Sequence, residues 1–215
     1  MTALIRYTVA ALAHTQRWVA SMLLLIATTT VLWVPPFGVE TLGLSLLILF
    51  PAAAWLAYAT GTVETVSQAA VTITHAKSRT LVWIGKAITA FLIVVILPIA
   101  SVLIAAAGGG WPPSDVVLAV VAIVTTAITG NSFGMLTAQA APTAPGWAIL
   151  MISLMALLDV VVPHVPPVRA YALFFESSTL DTGSFGNITL GALLVAVVCV
   201  SMTAIVHRKR GWPGE

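Results

Sequence analysis

The stretch IGKAITAFLIVVILPIASVLIAAA, residues 84–107, decides the fold class. The hydrocarbon core of a bilayer needs roughly 20 apolar residues of helix. This run exceeds that length, and Lys86, near its start, is its sole charge. Gly108-Gly109-Gly110 and Pro112-Pro113 stop it. Working outward in both directions, the same pattern recurs and predicts spans at 18–34, 42–60, 84–107, 115–138, 147–162 and 187–206. Pro35-Pro36 and the segment from Pro142 to Gly146 mark further breaks. The whole chain agrees with this reading: of 215 residues 60% are hydrophobic and 7% charged, against roughly 25% charged in a soluble domain. No soluble core hides that much apolar surface. The expectation is a single all-α polytopic membrane domain over residues 1–215 with six transmembrane helices.

Charge placement sets a direction. Under this scheme Arg6, Arg17, Lys77, Arg79, Lys86, Arg208, Lys209 and Arg210 fall on one side, and Arg169 alone falls on the other. Basic residues collect on the cytoplasmic side, so both termini are expected in the cytoplasm. The seven tryptophans (18, 33, 55, 83, 111, 147 and 212) lie near predicted ends, in the interfacial belt where an indole is favoured. The N-terminus does not read as a cleaved signal peptide, because Arg6 and Arg17 bracket helical rather than continuous hydrophobicity.

Three segments lie outside the spans. In residues 2–17, Leu4, Ile5, Thr8, Val9 and Leu12 share one helical face, opposite Arg6, Ala10, Ala13 and Arg17. That is the pattern of an amphipathic helix lying on the inner membrane surface. In the long inside loop, 61–83, Thr62 is the expected cap of a short helix, with Glu64 in its first turn. Val63, Val66, Ala70 and Ile73 follow at helical spacing, and His75, Lys77 and Arg79 close the segment. It reads equally as a docking element for a soluble partner and as a surface helix whose basic end meets anionic headgroups. On the outer side, residues 163–186 are apolar yet broken by Pro163, Pro166 and Pro167. A re-entrant or interfacial segment fits that combination. Asp159 lies roughly 18 Å along the fifth span. It is either an intramembrane carboxylate or, if the helix ends early, a headgroup-level residue beside His164 and Arg169, the latter being the simpler reading. These three residues are the outer gate candidates.

Few motifs carry chemistry. Gly85-Lys86 lacks the upstream glycine and the following Ser or Thr of a Walker A loop, so any ATP hydrolysis belongs to another chain. No zinc motif occurs among the histidines at 14, 75, 164 and 207, and Cys199 is the sole cysteine. Gly130-Asn131-Ser132-Phe133-Gly134 matches the nucleophile elbow in letters. It lacks the strand–turn–helix setting, and the sixth span has no histidine for a rhomboid-type serine protease. Thr126, Gly130, Gly134 and Ala138 instead form a small-x-x-x-small ridge for close helix packing. Pro51 and Pro98 sit inside the second and third spans, where each removes a backbone hydrogen bond.

Along the whole chain the layout resembles the membrane subunits of type-2 ABC exporters, in particular small actinobacterial permeases. The features that carry the likeness are HTQRW (14–18) at the entry to the first span, LFPAAAWL (49–56) in the second, TVETVSQAAVTITHAKSR (62–79) between spans two and three, and PHVPPVRAYALFF (163–175) between five and six. The resemblance implies half of an export pathway, completed by a second permease subunit, identical or homologous. An ATP-binding cassette subunit holding ATP and magnesium would dock on 62–79, through Glu64, His75, Lys77 and Arg79. It implies no catalytic residue, no cofactor and no metal in this chain. Two other classes compete: a secondary transporter driven by an ion gradient, which needs intramembrane carboxylates or broken helices, and a non-transporting anchor or regulatory subunit.

Overall fold

The computed structural model describes residues 1–31, 40–108, 111–141, 144–162, 168–176 and 182–209. Every regular element among them is helical: α1 (Thr2–Ala13), a 3₁₀ turn (Gln16–Trp18), α2 (Val19–Val31), α3 (Glu40–Gly61), α4 (Val66–Ala76), α5 (Arg79–Ala107), α6 (Pro113–Ala140), α7 (Pro145–Val161), α8 (Val168–Glu176) and α9 (Thr182–Lys209). Four of the described helices, α3, α5, α6 and α9, are long and apolar enough to cross a bilayer. The second, third, fourth and sixth predicted spans each lie within one of them. The first falls on the 3₁₀ turn and α2, with 32–34 outside the described residues. Helix α1 meets the stretch Gln16–Thr30 at 87°, so the chain turns nearly a right angle at His14-Thr15. The fifth falls on α7, which is apolar but shorter than the four.

The boundaries follow local chemistry. Ser78 Oγ accepts the Leu81 N–H at 3.2 Å and opens α5. Proline at the first turn opens α6 and α7, where a missing N–H costs nothing. Asp115 adds a carboxylate to the first turn of α6, where the helix dipole favours it. Thr62 does not cap the short helix. Its N–H and its hydroxyl both donate back to the Tyr58 carbonyl, at 3.0 and 2.9 Å, and so finish α3. The cap of α4 is Thr65, whose hydroxyl accepts the Gln68 N–H while the Gln68 side chain accepts the Thr65 N–H, a reciprocal capping box. Lys77 closes α4 in the left-handed region at φ 54°, a conformation that costs a non-glycine residue about 1–2 kcal/mol.

Helix α3 is the centre of the bundle. It packs against α2, α5, α6, α7 and α8, and Leu42, Leu46, Leu49, Phe50 and Leu56 along it are fully buried. Many of the large exposed side chains, Ile96, Ile104, Leu157, Leu194 and Val197 among them, belong to α5, α7 and α9, whose outward faces suit lipid. The stripe of α1 is spent on protein instead. Leu4 packs against Gly85 of α5, Thr8 and Leu12 are buried, and Val9, expected on the same face, is exposed. Leu4, Thr8 and Leu12 form a strict i, i+4, i+8 row, and Val9 lies about 100° away from Thr8 around the helix.

Candidate functional site

Four segments that the sequence keeps apart converge on one carboxylate. Glu64, in the turn between α3 and α4, forms an ion pair with Lys86 Nζ of α5 at 2.6 Å. The Thr72 hydroxyl of α4 donates to its other oxygen at 2.5 Å. The Tyr7 hydroxyl of α1 lies close beside the same carboxylate and Thr72. The Glu64 side chain is 1% exposed and that of Lys86 10%. Burial pushes the carboxyl up, but the Lys86 ammonium and the Thr72 and Tyr7 hydroxyls outweigh it and hold Glu64 below the ordinary carboxylate range. For Tyr7 the Thr72 hydroxyl favours the phenolate, but burial and the Glu64 charge prevail and the phenol is pushed up. Tyr7 is thus a proton donor across the neutral range.

Glu64, expected with His75, Lys77 and Arg79 as a surface contact, pairs instead with Lys86 and Thr72. Its carboxylate turns inward and presents nothing to an incoming protein. His75 and Lys77 are exposed and Arg79 half-buried, with His75 Nδ1 lying 2.9 Å from the Val71 carbonyl. The outward face of α4 consists of Ser67, Gln68, Val71, Thr74 and His75, all exposed. Beside it, Arg17 donates to the carbonyl and hydroxyl oxygens of Thr62 at 3.1 and 3.2 Å, and the Trp55 indole donates to the Arg17 carbonyl at 2.9 Å. The start of α2 is thereby tied to the end of α3. Sequence reasoning used Lys86 as an orientation marker and passed over Tyr7, Thr72 and Thr65. Two signals were available: the Thr65-Val66-Ser67-Gln68 capping pattern, and a lone lysine in an apolar run, which calls for a partner.

The ridge on α6 packs within the chain. A Cβ added at Gly130 would sit 2.7 Å from the Phe50 carbonyl oxygen and 2.8 Å from Ala53 Cβ; one at Gly134 would strike the Ala54 carbonyl oxygen. Ala138 is buried and faces Gly61. Ala53, Ala57 and Gly61 on α3 therefore mirror Gly130, Gly134 and Ala138 on α6, small residue against small residue. Thr126 is fully buried, and its hydroxyl has no hydrogen-bond partner. Ser132 donates to the Ile128 carbonyl of its own helix at 2.8 Å and is buried.

At the far end of the bundle, α7 stops at Val161, one residue before the predicted end of the fifth span, and Asp159 is 1% exposed. His164 lies outside the described residues. Arg169 lies in the first turn of α8. That helix buries Tyr171, Phe174 and Phe175 against Phe185 of α9, and Tyr171 donates to the Thr189 hydroxyl at 2.8 Å. Among the described residues no cluster of His, Cys, Asp and Glu could hold a metal ion. Compared with known proteins, the chain matches no family model, no curated protein and no solved structure.

Proposed function

We propose that this protein is the membrane-spanning permease subunit of an ATP-driven exporter, with α4 as the element on which a separate ATP-binding subunit docks. The observation that supports it best is α4 itself. It is a short helix outside the four long apolar ones, closed by a capping box at one end and a left-handed cap at the other, with its outer face free and its root fixed by Glu64 to α5. In this reading α2 and α7 complete six spans, α1 lies on the cytoplasmic surface of a bacterial plasma membrane, and both termini are cytoplasmic. The segment containing α8, with Asp159, His164 and Arg169, closes the outer end. A second permease copy or homologue completes the pathway, and ATP and magnesium stay in the partner.

The contacts for the partner are His75, Lys77 and Arg79 with the exposed Val71; Glu64 acts from behind as an anchor. The test is purification of the tagged protein from its native membranes in mild detergent, in parallel with a Lys77→Glu/Arg79→Glu variant. A stoichiometric soluble subunit carrying a Walker A loop, retained by the wild type and lost by the variant at unchanged membrane insertion, is the expected result. A well-folded chain recovered without any such subunit overturns it and favours the gradient-driven transporter.

A further inference from the structure

Helix α3 is covered on every side but one. From Leu42 to Thr60 its residues are buried except Leu47 and a stripe of Leu44, Ile48, Pro51 and Trp55. The stripe runs i, i+4, i+7, i+11 along one face, with Leu44 exposed and the other three half-buried. On one flank Ser45 donates to the Thr28 carbonyl of α2 at 3.3 Å. On the other, Ala54 and Tyr58 pack against Ala148 and Ile152 of α7. Among the described residues α2 and α7 form no packed interface with one another, so the stripe is the floor of an apolar furrow between them. Arg17 stands at the mouth of this furrow, bonded to Thr62 at the end of α3, with its carbonyl taking the Trp55 indole N–H. We infer that the furrow holds an acyl chain of an anionic phospholipid whose phosphate sits on Arg17.

Charge, depth and rigidity all select that occupant. Arg17 is exposed, and both of its bonds to Thr62 come from Nη1. The edge formed by Nε and Nη2 is left over, a planar fork that matches two phosphate oxygens. Glu64, the acid nearest Thr62 in sequence, does not compete for it, because it is buried with Lys86. Thr62 lies 11 positions beyond Pro51, or roughly 16 Å along a helix. That is about half of the ~30 Å hydrocarbon core, so a headgroup at Thr62 lays its chain over Trp55 and Pro51 within one leaflet. The Thr62 and Trp55 bonds hold Arg17 in place beforehand, which lowers the entropy lost on binding. A basic group beside a gap between membrane helices is a recurrent way of selecting anionic lipid.

The lipid site requires only that the chain is embedded in a membrane; it does not depend on the exporter reading. The full chain, delipidated in detergent, is titrated with phosphatidylglycerol and with phosphatidylcholine of the same acyl chains. Native mass spectrometry reads the bound lipid for the wild type, Arg17→Gln and Ile48→Trp, and a thermal melt checks that each is folded. One phosphatidylglycerol should bind the wild type about tenfold more tightly than phosphatidylcholine, the worth of one charge-assisted contact. Arg17→Gln should lose most of that preference. Ile48→Trp fills the furrow and leaves Arg17 in place, so it should weaken both lipids together and keep the preference; it also serves as the test if Arg17→Gln fails to fold. Equal affinity of the wild type for the two lipids, or an unchanged preference in Arg17→Gln, overturns the proposal. So does wild-type binding by Ile48→Trp, which would leave a headgroup contact without a furrow. A wild-type dimer that takes up no lipid and dissociates in Ile48→Trp overturns it in favour of a second copy of the chain.

Discussion

Helices α3 and α9 are both long, apolar and free of internal charge, yet 72% of the apolar window of α3 is buried against 22% of that of α9. The less buried helix is the more apolar, with mean hydropathy 2.5 against 1.9, and at the close seams of both, small side chains face the bundle. The buried face of α3 carries Ala53, Ala57 and Gly61 along the seam with α6. On α9 the sides divide cleanly: Ala192, Ala196, Cys199 and Thr203 face the bundle, whereas Leu190, Leu194, Val197, Val198 and Ile205 are exposed. Lipid tails are as apolar as leucine, so burying leucine against protein gains little within a bilayer. Close backbone approach and dispersion gain more. Along these two seams small residues face inward, while Leu42, Leu46, Leu49, Phe50 and Leu56 fill the rest of the buried surface of α3; Thr129 reaches the Ala192 carbonyl at 3.4 Å through the gap that small residues leave.

The comparison breaks first at Gly134. Leucine there meets the Ala54 backbone carbonyl and Ala57 Cβ, neither of which can rotate away. The destabilisation should exceed the ~1–3 kcal/mol usual for overpacking. Loss of monodisperse protein on size exclusion is the expected outcome, and a variant with wild-type melting would mean that the two helices are not in contact. Ala196→Leu on the buried stripe of α9 should cost less, about 1–3 kcal/mol, because only one face of that helix is held. A thermal melt in the same detergent checks it.

Next in size is an electrostatic effect confined to the other kind of joint. Glu64 is held below its ordinary value of 4.5, with Lys86 and Tyr7 as the charged or titratable groups that face it. A depressed carboxyl contributes its stabilisation in full above the ordinary value and loses it as pH falls through the folded value. Protection of α4 against amide hydrogen exchange, corrected for the intrinsic rate, should therefore be flat from neutrality to the ordinary carboxylate range. It should fall only in stronger acid, and the Glu64→Gln variant should show no such step. The seam between α3 and α6, which has no titrating group, should not respond in either protein.

These two joints also explain what was legible in the sequence. The spans on α3, α5, α6 and α9 follow from continuous apolar runs, and the ridge from a spacing of four in small residues on α6. The matching stripe on α3 has the same spacing but is diluted by Ala52 and Ala54 beside Ala53, so its direction is set only by its neighbour. Lys86 and Glu64 lie on different elements with no period linking them; their pairing is a tertiary fact. Thr62 and Thr65 are both capping residues by type, and the choice falls to Thr65 because Thr62 is spent on Tyr58. Asp159 could be located near a helix end from sequence, but whether it meets water depends on what packs over it.

The smallest effect is the most informative control. Val197, next to Ala196, is 60% exposed, and Val197→Leu adds the same kind of bulk one residue along. If the outward face of α9 meets fluid lipid, the added methylene finds space, and the change should stay within about ±0.5 kcal/mol. A cost like that of Ala196→Leu would show instead that this face is covered by protein, as a second permease subunit would cover it. The pair of adjacent substitutions thus reads the surroundings of α9 directly. A silent Val197→Leu beside a costly Ala196→Leu fixes the lipid-facing side of the helix and moves any subunit contact to α5 or α7.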